Sequence, residues 1–188
     1  MNLEEKYTEL CDNPSDINEH LPTLRKYAES VETICEMGVR WTATSSIALA
    51  AAKPKKYTAI DIEDCSKAFE PFIEEIQANG TDFKFVKNNT LGMEIEPVDM
   101  LFIDTFHIYN QLKAELSLHA KNVSKYILFH DIESFGDVGE DNRFKGLKLA
   151  INEFLNENPA WEFEKAYYNN NGLGVIKRVR EDTTEIFV

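Results

Sequence analysis

The chain has 188 residues, enough for one domain with a substantial core and too few for separate cofactor and substrate lobes. Apolar residues make up 43% and charged residues 28%, the balance of a chain that folds. Its 33 Asp and Glu outnumber 20 Lys and Arg, and the net charge of −13 excludes a large nucleic-acid footprint while favouring a small-molecule or cationic partner. No apolar run approaches the roughly 20 residues of a membrane span, and the acidic, amphipathic start MNLEEKYTEL is no signal sequence, so a cytoplasmic protein without a membrane partner is expected. Cys11, Cys35 and Cys65 lack the close pairing of zinc sites or redox dithiols and read as reduced packing residues.

The first thirty residues carry helical spacing in NLEEKYTELC and LPTLRKYAES, with the turn Asn13-Pro14-Ser15-Asp16 between them, and form a helical preface. From residue 31 strands and helices alternate. VETICEMG is a strand ending in Gly38, and SSIALAAA a helix stopped by Lys53-Pro54. YTAIDI is a strand, SKAFEPFIEEIQANG a helix closed by Gly80, and FKFVKN a strand. VDMLFID precedes the helix YNQLKAELSLHA; YILFHD precedes a loop and the helix FKGLKLAINEFLNEN. WEFEKAYY and GLGVIKR close the domain, joined by the turn NNNG, whose residues tolerate positive φ. Repeated strand-then-helix units imply a parallel sheet covered on both faces, here ending in an antiparallel hairpin. The expected organisation is a preface over 1–30, one α/β domain over 31–180 and an acidic tail over 181–188.

In open sheets of this kind ligands bind at the carboxyl ends of the strands. That rule selects the loops 36–45, 61–64, 87–91, 104–109 and 130–143. The last of these, with Gly136 and Gly139, reads either as a lid or as a solvated loop. The glycine after the first strand allows close backbone approach to a ligand, and the helix that follows offers free N–H groups. Asp61 at the second strand's tip can accept two ribose hydroxyls, or it can cap the helix near Ser66. Asp104, His107, His130 and Asp131 gather carboxylates and imidazoles at two strand ends, although each is also a plausible cap or surface residue taken singly.

These segments resemble the class I S-adenosylmethionine-dependent methyltransferases, whose Rossmann-like sheet is mostly parallel and ends in an antiparallel hairpin. EMGVRWTAT is similar to the E-x-G-x-x-x-G-x-S motif of metal-dependent O-methyltransferases, with Glu36 and Gly38 matching, Thr42 in place of the second glycine and Thr44 in place of the serine. Thr42 narrows the space for the methionine part of the cofactor. DTFHIY and HDI resemble the D-x-x-H-x-Y and H-D-[TI] signatures of the cephalosporin-hydroxylase-like and sugar O-methyltransferase group. The resemblance, which spans roughly residues 30–178, implies S-adenosylmethionine contacts from Glu36, Gly38, Arg40, Thr42, Thr44, Asp61, Ile62, Asn88 and Asp104. It implies a divalent cation, magnesium or another, on Asp104, His130 and Asp131, with His107 as the base that takes a proton from a small hydroxylated acceptor. The acceptor pocket has to come from the preface, the 133–143 loop or a second subunit, which leaves a homodimer open. A module that binds the cofactor without transferring methyl groups is the rival expectation.

Overall fold

A computed structural model describes residues 1–180; the expected acidic tail over 181–188 lies outside the described residues. Among the described residues one seven-stranded sheet runs β3-β2-β1-β4-β5-β7-β6. The strands are β1 (Thr33–Met37), β2 (Lys56–Asp61), β3 (Asp82–Lys87), β4 (Val98–Ile103), β5 (Val123–His130), β6 (Trp161–Tyr167) and β7 (Leu173–Arg178). β1 to β5 pair in parallel, while β7 runs antiparallel to both β5 and β6. The chain therefore has the mostly parallel, hairpin-terminated sheet expected from the alternation. The order reverses between β1 and β4, so the loops after these two strands flank the switch point.

Helices α1 (Leu3–Asp12), α2 (Leu21–Ala28) and α3 (Thr44–Ala51) cover one face. α3, TSSIALAA, is apolar nearly all round, and a helix of that kind needs cover on every side. The preface supplies it: Leu3, Leu21, Leu24 and Ala28 share one buried cluster with Ile47, Ala48, Leu49 and Ala51. On the other face α5 (Tyr109–His119) and α6 (Leu147–Glu157) bury Leu112, Leu116, Leu147 and Ile151 against β1, β4 and β5.

The expected continuous helix over 66–80 is broken. A 3-10 turn spans Ser66–Ala68, and the α-helix α4 (Ile73–Ala78) begins only after it. Pro71 explains the interruption, because it lacks an N–H and disfavours helical backbone at the residue before it. β5 starts three residues earlier than YILFHD indicated, and α6 starts at Leu147 after Gly146, where a Cβ would meet the Phe135 carbonyl oxygen at 2.2 Å. The NNNG turn forms as expected, with positive φ at Asn170, Asn171 and Gly172.

Glu36 joins these layers beneath the sheet ends. Its fully buried carboxyl accepts hydrogen bonds from Ser45 Oγ at 2.6 Å, Ser46 Oγ at 2.5 Å and the Tyr57 hydroxyl, tying the start of α3 to β1 and β2. Burial pushes the carboxyl up to about 7, against the three hydroxyls that favour its charged form. The folded state thus holds a proton that the unfolded chain releases near pH 4.5. This contribution to stability is complete below that value and is lost as pH rises through about 7. At roughly 1.4 kcal/mol per pKa unit, up to about 3 kcal/mol is involved. Denaturant unfolding between pH 5 and pH 8 should show the native protein losing stability, and Glu36→Gln should flatten that slope; parallel pH profiles for the two proteins would remove Glu36 as its source.

Candidate functional site

A crevice of about 690 Å³ opens at the carboxyl ends of the strands, within the size range of small-molecule sites. Gly38, Arg40, Asp61, Ile62, Asn88, Asp104, His107 and Asp131 all line it. Glu36, Thr42, Thr44 and His130 do not lie among its lining residues. Glu36 sits below the crevice in the hydroxyl cluster described above. Thr44 Oγ1 donates to Thr42 Oγ1 at 3.2 Å, and Thr42 is exposed.

The loop after β1 has little conformational choice. Gly38 has φ +87°, and a Cβ there would lie 2.0 Å from the Asp104 carbonyl oxygen, so only glycine lets the ends of β1 and β4 approach this closely. Arg40 and Ala43 also take positive φ, which costs energy in residues with side chains. Asp61 stabilises this path. Its Oδ2 accepts the N–H groups of Val39 at 2.8 Å and Arg40 at 3.0 Å, and its Oδ1 accepts that of Glu63 at 2.8 Å. A carboxylate offers about four acceptor positions, so three are engaged before any ligand arrives.

At the other end of the crevice two carboxylates meet two imidazoles. Asp104 follows β4, and Asp131 follows β5 with φ +61°, a strained setting for a residue with a side chain. His107 Nε2 lies 3.0 Å from Asp104 Oδ1 and 3.2 Å from Asp131 Oδ2. His130 Nδ1 lies 3.4 and 3.2 Å from the same two oxygens, and its Nε2 donates to the Asp16 carbonyl at 3.1 Å. Burial would discourage charge on His130, but the two carboxylates outweigh it and push the ring up to about 10. His107 is raised by Asp104, Asp131 and Glu140 against the same desolvation. Burial would raise Asp104, yet the two imidazoles hold it well below the usual carboxylate range.

Asp104, His107 and Asp131 each offer one ligand atom, all within 4.8 Å of one another. His130, expected as a ligand, lies outside this group and stands behind the carboxylates with a side chain 1% exposed. His107, expected as a base, has both ring nitrogens facing carboxylates, since Nδ1 donates to Glu140 Oε2 at 3.0 Å. Asp131 Oδ1 is buried with no hydrogen-bond partner. An unpartnered oxygen on a buried carboxylate of this group fits a bound cation.

Several lining residues had not been singled out. Asp16 comes from the preface turn, and its Oδ2 accepts from Arg40 Nη1 at 2.5 Å. No local pattern marks it, because about ninety residues separate it from Asp104. Phe135 and Glu140 belong to the 130–143 loop, which is a wall of the crevice. Gln111 lines the crevice and Glu115, one helical turn along α5 and fully buried, supports it from behind; the two were readable as an i,i+4 pair. Glu115 is buried and accepts from Thr90 Oγ1 at 2.6 Å, Gln111 Nε2 at 2.8 Å and Thr105 Oγ1 at 2.9 Å, so one carboxyl ties the loops after β3 and β4.

No protein-family model matches the chain, and no curated protein sequence matches it. Solved structures do. An O-methyltransferase from Bacillus cereus in complex with SAH is 15% identical with a TM-score of 0.61, the match covering 94% of this chain and 90% of that one. The O-methyltransferase TomG from Streptomyces achromogenes, in complex with SAM, is 17% identical with a TM-score of 0.60, covering 88% and 81%. The SAH-bound Podospora anserina methyltransferase PaMTH1 is 16% identical with a TM-score of 0.60, covering 95% and 88%. The chain thus has the class I methyltransferase fold and resembles O-methyltransferases of that class; at these identities the likeness is one of fold.

Asp61→Ala should lower stability by about 2 kcal/mol, since three N–H groups lose a charged acceptor but an open loop returns part of that to water. Exchange protection of the Val39 and Arg40 amides should fall with it. Unaltered protection at both amides would show that Asp61 does not hold this loop.

Proposed function

We propose that this chain binds S-adenosylmethionine in the crevice and transfers its methyl group to a hydroxyl of a small acceptor, with a divalent cation held by Asp104, His107 and Asp131. The observation that carries the reading is the convergence of these three residues with Gly38 and Asp61 in one crevice at the switch point of a methyltransferase-type sheet. The SAM- or SAH-bound state of the three neighbours supports the choice of cofactor.

Gly38 gives the cofactor close access to the backbone, Ile62 presents an exposed apolar face, and Asn88 offers an amide beside it. Asp61 supplies one ribose bond rather than the two expected, because three of its acceptor positions are engaged. Methyl transfer is an in-line displacement: the carbon–sulfur bond breaks as the carbon–oxygen bond forms, the sulfonium becomes a neutral thioether, and the acceptor oxygen gives up its proton. A bound divalent cation supplies the positive charge that makes such a hydroxyl more acidic. Two carboxylates and one imidazole suit manganese or iron as well as magnesium. In this reading His107 serves as a cation ligand instead of a base, and the proton passes to water on the open side of the crevice. Asp16, Phe135, Glu140 and Asn171 wall the acceptor end.

One observation favours a binding module without turnover, namely the prior engagement of Asp61 by its own backbone neighbours. Calorimetric titration with S-adenosylhomocysteine, combined with a methyl-transfer assay over small polyols and catechols, separates the readings. Binding together with turnover that a chelator abolishes is the expected result. Asp131→Ala should keep cofactor binding and lose about 100-fold or more in turnover, the several kcal/mol that a cation contributes. Binding with no turnover on any acceptor would favour the module, and absence of binding would end both readings.

A further inference from the structure

His107 is gripped by a segment about thirty residues further along the chain. The Phe135 ring stacks on the imidazole at 5.1 Å between centroids and 15° between planes. From the edge, Glu140 Oε2 accepts from Nδ1 at 3.0 Å. The backbones of the two residues are also joined, since the Glu140 N–H donates to the His107 carbonyl at 2.9 Å. Gly139 makes this approach possible: a Cβ there would meet Ile108 Cγ2 at 2.9 Å and the His107 carbonyl oxygen at 3.0 Å. The same segment begins at Asp131, so it delivers one carboxylate of the candidate metal site and orients the imidazole that faces it.

We propose that Glu140 is a positioning residue that holds His107 by its Nδ1–H and so keeps Nε2 aimed between Asp104 and Asp131, the atom that a bound cation would take. The proposal rests on the metal reading above. A carboxylate only accepts hydrogen bonds, so the Glu140 contact requires hydrogen on Nδ1. On the other side of the ring Nε2 lies 3.0 and 3.2 Å from two carboxylate oxygens, a contact that a second ring proton makes and that a bound cation would take over. Asp104 Oδ1, Asp131 Oδ2 and His107 Nε2 thus converge on one positive centre, the Nε2 proton or the cation that would displace it. Metal-bound histidines commonly have this second partner on the far nitrogen, and losing it typically weakens metal binding about 10-fold to 100-fold. The Glu140 side chain is 47% exposed, so its removal leaves no buried charge unpaired.

Manganese titration calorimetry on the full chain, with Glu140→Ala and Glu140→Gln beside the unaltered protein, tests the proposal. Glu140→Ala should bind manganese about 10-fold to 100-fold more weakly. Glu140→Gln retains an oxygen that accepts from Nδ1 and should recover most of that loss. In nitrogen-15 spectra the His107 Nδ1–H should be protected from exchange in the native and Gln proteins and lost in the Ala protein. Equal affinity in all three proteins overturns the positioning role while leaving the metal reading standing. Equal weakening by Gln and Ala also overturns it, because the effect would then be one of charge alone. Failure of the unaltered protein to bind manganese or magnesium removes the metal reading, and this inference with it.

Discussion

Two carboxylates placed side by side at the ends of adjacent strands repel each other, and the whole crevice depends on the positive charge that keeps Asp104 and Asp131 together. Like charges at this range oppose joint ionisation unless opposite charge intervenes. His107 and His130 provide it, each bridging the same two oxygens, so that carboxylates and imidazoles alternate around a closed ring. The strained φ of Asp131 is tolerated because the surrounding contacts over-determine its position.

That ring reaches far into the chain. His130 is held from behind by the carbonyl of Asp16, in the turn between the preface helices. The turn is in turn fixed by the β6–β7 hairpin: Asn170 Nδ2 donates to the Ser15 carbonyl at 2.7 Å, the Glu19 N–H to Asn170 Oδ1 at 3.0 Å, and His20 Nε2 to the Asn169 carbonyl at 2.9 Å. The run of positive φ at Asn170, Asn171 and Gly172 shapes a surface that clasps the preface as well as reversing the chain. The preface therefore does two jobs, covering the apolar helix α3 and backing the carboxylate ring.

The fold was legible because strand-helix alternation depends on local patterns, and β4 and β5 carry the apolar runs MLFI and YILF. The misread helix over 66–80 failed at Pro71, where a local breaker outweighed good periodicity on both sides. Within the site, the residues at strand tips were accessible to reasoning because topology places every strand tip at one end of the sheet. Their roles were less so. Nothing in HIY or FHDI distinguishes a ring that lies in the crevice from one behind it, and His107 and His130 differ in that respect only through the path of the chain after Asp104 and Asp131. Asp16 and Glu140 were harder still, since their partners lie outside any local window.

The charge of the crevice bears on what it can hold. Asp16, Asp61, Asp104, Asp131 and Glu140 line it against the guanidinium of Arg40 and the imidazole of His107. A sulfonium and a divalent cation both bring positive charge to such a surface, whereas a phosphorylated or carboxylated acceptor would meet repulsion. Arg40 does little to offset this, because it is already paired with Asp16 across the mouth. Both side chains are largely exposed, at 67% and 41%, and a pair in that setting contributes less than about 1 kcal/mol. The mouth can therefore open at small cost while the loop behind it stays in place, since its path is set by Asp61 and by the contact of Gly38 with Asp104. A firmly held floor under a weakly latched entrance is what the proposed entry of two ligands into the crevice requires.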